Sequence, residues 1–458
     1  MTDLLLVGAT LIDGTGAAPV PDAVIKVEGG RIVAAGAREG SSLPDAKRVV
    51  DATGKFVIPG IVNANVHLLD GIMMMGRGGL EYLARFEGRL HEVIEEASQI
   101  ALAAGMTTVF DTWNATQPVL YARDRVNAGT VEGARIFAAG NIVGMGGPFS
   151  VDFNKLAAQV ASIPFVNRMN DLFEAGVGRR LAALTPDEVR EKIRAYLEGG
   201  VDLLKVAISD HVMAEAFSPH LSFSRRVLEV MAEEAGRANV PLLSHTVSVE
   251  AMNEAIELGC DAMMHCTITS QVPIPDEMIE RMISKKVWGE IQPVTDDYQC
   301  YLEKHNHPFT GYAGGVHREN TIRLIEAGAP ILMGTDAGCT DPDILAEDSD
   351  EVLSMRPWTL GQDHLLWFEA MGSYGMKPMD MLQAATRNPA IAYRQDDLIG
   401  TLEAGKFADM LVLDGDPLAD HRNYAKIHAI IKEGREIDFG QLPNPKVVTA
   451  YPRSEPRG

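Results

Sequence analysis

Sulfur cross-links are the first thing this chain does not provide for. Four cysteines stand in 458 residues (Cys260, Cys266, Cys300 and Cys339), and no two form a C-x-x-C pair. That spacing suggests neither a disulfide framework nor a thiolate zinc site. Positive charge is also short: 41 Lys+Arg against 63 Asp+Glu leave a net charge of −22. A phosphate backbone or an anionic membrane surface would be repelled, so nucleic acid and membrane are excluded as natural partners. The excess acid reads as a solvated outer surface. No apolar run reaches the roughly 20 residues that a membrane-spanning helix needs. The opening Met1-Thr2-Asp3-Leu4 lacks the basic start and apolar core of a secretory leader. The expectation is a cytoplasmic enzyme acting on a small molecule.

What is present is enough chain for one large domain and a smaller one. Hydrophobic residues make up 46% and charged residues 23%, ordinary values for a folded globular protein. Short strands are read at 4–7, 23–27, 31–35 and 49–51, separated by turn signals such as Asp13-Gly14 and Gly29-Gly30. A matching β-rich piece occupies 409–413 and 428–432, turning at Asp414-Gly415-Asp416-Pro417. Two β-rich ends around a different middle predict one small β-sandwich built from both termini, residues 1–57 and 400–458.

The middle, 58–399, alternates strands with helices. Strands are read at 56–67, 106–112, 135–142, 201–208, 241–246, 261–267, 287–294 and 330–336. Helical patterns fall at 90–104, 188–197, 225–238, 249–258, 276–285 and 319–327. Thr185-Pro186-Asp187-Glu188 is a capping box with proline at the first helical position. Eight strand-helix repeats predict an α/β fold, a (β/α)8 TIM-like barrel. Two connections, 144–178 and 295–317, are unusually long and leave C-terminal strand ends, the face that carries the chemistry in such barrels.

Polar residues collect at that face. In the run Phe56-Val57-Ile58-Pro59-Gly60-Ile61-Val62-Asn63-Ala64-Asn65-Val66-His67, Asn65 and His67 lie two apart, so a strand projects both to one side. His245 ends Leu242-Leu243-Ser244-His245, and His265 follows Met263-Met264. Lys205 closes Val201-Asp202-Leu203-Leu204, and Asp336 sits in Gly334-Thr335-Asp336-Ala337-Gly338. Singly, each reads as well as an ordinary strand-end residue. Together they put possible ligands at one end of five strands, and imidazole with carboxylate suits Zn²⁺ or a similar first-row divalent metal.

Pro59-Gly60 followed by the Asn65-x-His67 pair resembles the strand-one signature of the metal-dependent amidohydrolase superfamily. The runs Ala385-Thr386-Arg387-Asn388-Pro389-Ala390 and Gly400-Thr401-Leu402-Glu403-Ala404-Gly405-Lys406 are similar to further stretches of its imidazolonepropionase-like and prolidase-like branch. The resemblance implies one or two metals held by Asn65, His67, Lys205 (as an N6-carboxylysine), His245, His265 and Asp336. It further implies catalytic roles for Asp336 and His265, and assembly as a homo-oligomer. Asn65 stands where the family has histidine, and an amide oxygen is a poor ligand for a transition metal. An Asn-x-His pair resembles the phenylurea hydrolases and their thiocarbamate-cleaving relative, molinate hydrolase.

That resemblance implies hydrolysis of an aryl urea to an aniline and a carbamic acid. Such a substrate needs an apolar pocket. The residues expected to bind it are Met73 and Met74 after strand one, Phe149 and Phe153 after strand three, and His211 and His317 from nearby loops. Core packing explains the same Met and Phe residues equally well. Two alternatives remain. A thiocarbamate, prolidase-like or imidazolonepropionase-like hydrolase is one, and for its carboxylate substrates Arg77 or Arg168 could supply the cation. The other is a catalytically silent barrel used as an assembly subunit.

Overall fold

The computed structural model describes residues 2–38, 45–76, 78–210, 220–306, 310, 314–346 and 348–451. The first strands are β1 (Thr2–Leu11), β2 (Val20–Glu28), β3 (Arg31–Ala37), β4 (Ala46–Asp51) and β5 (Phe56–Pro59). They join three strands from the other end of the chain in one eight-stranded sheet. In chain order the remaining strands are β6 (Ile61–Leu69), β7 (Met106–Asp111), β8 (Arg135–Ala138), β9 (Leu204–Ala207), β10 (Leu242–His245), β11 (Ala262–Met264), β12 (Trp288–Ile291), β13 (Ile331–Met333), β14 (Ala337–Cys339), β15 (Met410–Leu413), β16 (Ile427–Lys432) and β17 (Arg435–Ile437).

The sheet shared by both termini runs β17-β16-β15-β5-β1-β2-β3, with β4 paired to β1. It keeps its own apolar cluster, in which Leu4, Leu6 and Ile25 meet Met410, Val412 and Ile431. The join is local chemistry: β5 pairs antiparallel with β15, Phe56 opposite Leu413 and Pro59 opposite Met410. The run 56–67 is therefore not one strand. It breaks at Gly60, leaving β5 in the terminal sheet and β6 in a parallel one. Gly60 is needed at the break, because a Cβ there would stand 2.1 Å from the Thr107 hydroxyl.

The middle of the chain forms an α/β fold with two parallel sheets, β14-β6-β7-β8 and β13-β12-β11-β10-β9. A parallel bridge between Val143 and Val206 joins them on one side. On the other, the Thr335 and Asp336 N–H groups both donate to the Asn65 carbonyl at 2.9 Å. Residues buried on both faces explain why these strands read as apolar runs: every residue of β6 and β7 is buried.

The connecting helices follow amphipathic periodicity. In Arg225–Ala238 the buried positions are Val227, Leu228, Val230, Met231, Glu234 and Ala235, one face of a helix. Each large apolar member contributes roughly 1.5–3 kcal/mol by leaving water. Glu234 is tolerated there because Arg190, Arg194 and Arg237 all donate to it. The helix Pro186–Glu198 opens with the expected capping box, both hydrogen bonds formed. The long connection 144–178 carries two helices of its own, Ala157–Val160 and Ile163–Glu174. The other contains Asp296–Lys304. Among the described residues no helix is long and apolar enough to cross a membrane.

Candidate active site

The strands bring His67, Lys205, His245, His265 and Asp336 to one place, though by different local devices, and Lys205 lies near the start of β9 rather than at its end. His67 lies within β6 and its ring meets the edge of Trp113 at 5.6 Å. Lys205 and His245 are register neighbours on paired strands, Lys205 opposite Leu243 and His245 opposite Ala207. His265 and Asp336 each follow a short strand in left-handed backbone, φ 55° and 53°. Non-glycine residues rarely adopt that region, and such strain clusters at functional sites.

The contacts centre on Asp336. Its Oδ1 stands 3.1 Å from His67 Nε2, and its Oδ2 stands 3.7 Å from His265 Nδ1. The rings of His245 and His265 meet edge-on at 5.1 Å. Burial alone would raise the Asp336 carboxyl, but His265, His67 and Lys205 beside it hold it well below the usual carboxylate range. Burial lowers the Lys205 ammonium, against the opposing pull of Asp336, Glu290 and Asp111. The site therefore favours an ionised Asp336.

Two residues at this centre carry signals that the strand-end reading passed over. Thr112 lies one residue beyond β7 and touches both Lys205 (Nζ to Oγ1, 3.0 Å) and Asn65, to whose Oδ1 it donates. Glu290, on β12, is fully buried; its Oε2 accepts the His265 N–H at 2.8 Å and lies 3.6 Å from His265 Nδ1. Burial, then the Asp336 charge, push its carboxyl up to about 8. Both had a legible mark. Thr112 ends a strand, and Glu290 is the one charged residue in Val287-Trp288-Gly289-Glu290-Ile291.

Among the described residues no three His, Cys, Asp or Glu side chains stand together as a ready-made metal cage. The donor chemistry nevertheless fits a first-row divalent metal, being imidazole beside an ionised carboxylate. His67 Nδ1 is buried with no hydrogen-bond partner. Asn65 differs, because its side-chain oxygen is engaged by Thr112.

Above this centre opens a cleft of about 750 Å³. His245, His265 and Asp336 form its polar end, and Ile72, Met75, Val294, Ile268, Trp358 and Trp367 are among its apolar walls. The Met run contributes through Met75. Asp70 caps the short helix Gly71–Met75, so Ile72 and Met75, three apart, share a face. Met73 and Met74 are packed in the core instead. Phe149 is buried against Phe165, and Phe153 stacks on Trp113 at 4.2 Å, reaching His67 only through that ring. His317 is buried and its Nε2 binds the Gln292 carbonyl at 3.1 Å, so it supports the cleft wall from behind. His211 and Arg77 lie outside the described residues. Arg168 is held by Glu87 at 2.9 Å, away from the cleft walls.

Comparison with known proteins accords with this architecture. A solved structure of molinate hydrolase superposes with a TM-score of 0.96 at 52% identity, covering 99% of this chain and 98% of the other. Phenylurea hydrolase B superposes at 0.94 with 45% identity, covering 98% and 100%. Among curated sequences, ochratoxinase of Aspergillus niger is 24% identical over 320 residues, 67% of this chain. The chain spans 60% of that relative's length. Imidazolonepropionase of Fusobacterium nucleatum subsp. nucleatum is 24% identical over 409 residues, 86% of each chain. Residues 56–437 match the sequence profile of the amidohydrolase family. The chain belongs to the amidohydrolase family.

Proposed function

We propose that this chain is a metal-dependent hydrolase of neutral carbamoyl compounds, cutting the urea C–N bond of N-aryl-N′,N′-dialkyl ureas. The observation that carries the reading is the composition of the cleft: its described walls hold no lysine and no arginine, while Asp336 and Asp363 both line it. A dipeptide, an N-acyl amino acid or imidazolonepropionate brings a carboxylate, and a buried carboxylate without a cation is strongly disfavoured. A neutral aryl urea meets no such penalty, and indole and thioether walls suit a flat ring. The carbamothioate ester is the second reading, favoured by the 52% identity to molinate hydrolase. It too is neutral.

His67, His245, His265 and Asp336, with Lys205 once carboxylated to a carbamate, are the residues that would hold Zn²⁺ or a similar ion. When bound, such an ion polarises the carbonyl and brings the pKa of its water near 7. The protein's own residues do the rest. Asp336, held ionised by its neighbours, takes a proton from the attacking water. A C–O bond forms, the C–N bond breaks, and the same proton passes from Asp336 to the departing aniline nitrogen. The carbamic acid then loses carbon dioxide. Ile72, Met75 and the two tryptophans hold the aryl group and keep bulk water from the reacting carbon.

The two parallel sheets are read as halves of one closed eight-stranded barrel over residues 58–399. The shared terminal sheet is read as a composite sandwich domain of residues 1–57 and 400–458. One metal-loaded preparation assayed with a dimethyl phenylurea, a thiocarbamate and a Xaa-Pro dipeptide tests the proposal. Turnover of a neutral substrate with no dipeptide cleavage is expected. Preferential cleavage of the dipeptide would overturn it.

A further inference from the structure

We propose that Thr112 and Glu290 are positioning residues, the two links of a buried polar chain running from Lys205 through Asn65 to His265. The inference rests on reading this site as a hydrolytic centre, and it assigns work to two residues that touch no reacting atom.

The direction of the chain follows from the inventory of donors. An ammonium has only protons to give, so at 3.0 Å Lys205 Nζ donates and Thr112 Oγ1 accepts. A carbamate N–H at Lys205 would donate in the same sense. Thr112 then has one proton left, and it goes to Asn65. The Asn65 atom facing Thr112 must therefore be the oxygen, and this network settles the amide orientation. Asn65 Nδ2 is turned away from Thr112 and buried. It stands beside Glu290, whose carboxyl the Asn65 side chain lowers against burial and the Asp336 charge.

Glu290 carries the chain onward. Its other oxygen accepts the His265 N–H at 2.8 Å, at the residue whose φ is 55°. Left-handed backbone at a non-glycine residue costs about 1–3 kcal/mol and persists only where surroundings impose it. The Glu290 bond is such an imposition, and it aims the His265 ring toward Asp336. Room for the carboxylate is built in: a Cβ at Gly334 would stand 2.3 Å from Glu290 Oε1. Thus Asn65 stands between the Thr112 hydroxyl and the carboxyl that holds the backbone of His265.

The test compares Thr112→Val, which keeps the shape and removes the hydroxyl, with Thr112→Ser, which keeps the hydroxyl. Zinc affinity is read by competition with a chromogenic chelator, and kcat and KM are read on the phenylurea. Groups that orient metal ligands are worth about 10–100-fold in affinity or activity. A loss of that size is expected in Thr112→Val, carried by kcat with KM little changed, and Thr112→Ser should recover to within about threefold. Val and Ser variants that behave alike would overturn the inference. If the wild type neither binds zinc nor turns over substrate, the proposed function fails, and hydrogen exchange still reads the chain. The His265 amide should exchange slowly in the wild type and in Glu290→Gln, and faster in Glu290→Ala. Equal exchange in all three would overturn the role of Glu290.

Discussion

Replacing Asp336 by asparagine removes one charge and one proton site while leaving the shape almost unchanged. The backbone should accept the change, because asparagine is among the few residues that tolerate a φ of 53°. The main-chain bond from residue 336 to the Asn65 carbonyl, 2.9 Å, does not involve the side chain. What is lost is the group that sits 3.1 Å from His67 and 3.7 Å from His265 and is held ionised by them. An amide cannot take a proton from water or return one to a leaving nitrogen. General acid–base catalysis contributes roughly 10²–10⁴-fold. With one group serving both transfers, kcat should fall by about 10³-fold or more, roughly 4 kcal/mol of barrier. Steady-state kinetics on the phenylurea, elemental analysis and a melting curve on the same preparation are the assay. Melting temperature should stay close to wild type, and metal content should fall far less than the rate, because His67, His245 and His265 remain. More than a few per cent of the wild-type rate would remove Asp336 from the proton path.

Three further outcomes follow from individual contacts. Glu234→Gln should lose about 2 kcal/mol, since a carboxyl held near 2 by Arg194, Arg237 and Arg190 is worth up to about 3 kcal/mol and the partly exposed guanidiniums screen some of it. Its folded pKa lies below the unfolded value of 4.5, so urea denaturation should show the full difference above pH 4.5 and none near pH 2. Phe153→Ala should lower kcat for aryl and alkyl substrates by the same factor, because Phe153 acts through Trp113 and His67; a KM rise confined to aryl substrates would place it against the ring. Asn65→His should raise zinc stoichiometry, measured by elemental analysis at saturating supply, and unchanged metal would show that this position is a hydrogen-bonding site alone.

The outline of the site was legible because strand periodicity fixes which residues end together. His245 and Asp336 each close an apolar run, His67 and Lys205 lie within one, and the parallel sheets bring all four together. Asn65 was legible only as a departure. Its partner atoms were not, since Thr112 and Glu290 reach it across strands 47 residues apart or more in sequence. The Met73–Met75 run shows the limit at short range: read as a loop, it offered three equivalent thioethers, and only the cap from Asp70 decides that Met75 faces the cleft. Trp358 and Trp367 gave no signal at all, because they become walls only when chain beyond β14 folds back over the strand ends. The short β14, three residues long and directly after a left-handed Asp336, was hidden for the same reason: its pairing with β6 is set by tertiary contact.

The central claim is that the cleft takes neutral carbamoyl compounds because its described walls hold no lysine and no arginine. Its most direct measurement is kcat/KM for a matched pair, N,N-dimethyl-N′-phenylurea and the same urea bearing a para-carboxylate on the ring. The two differ little in reactivity and greatly in the cost of burying the ring without a cation. The account predicts at least about a 100-fold preference for the neutral urea, equivalent to about 2.7 kcal/mol. Equal values, or a preference for the carboxylate, would contradict it.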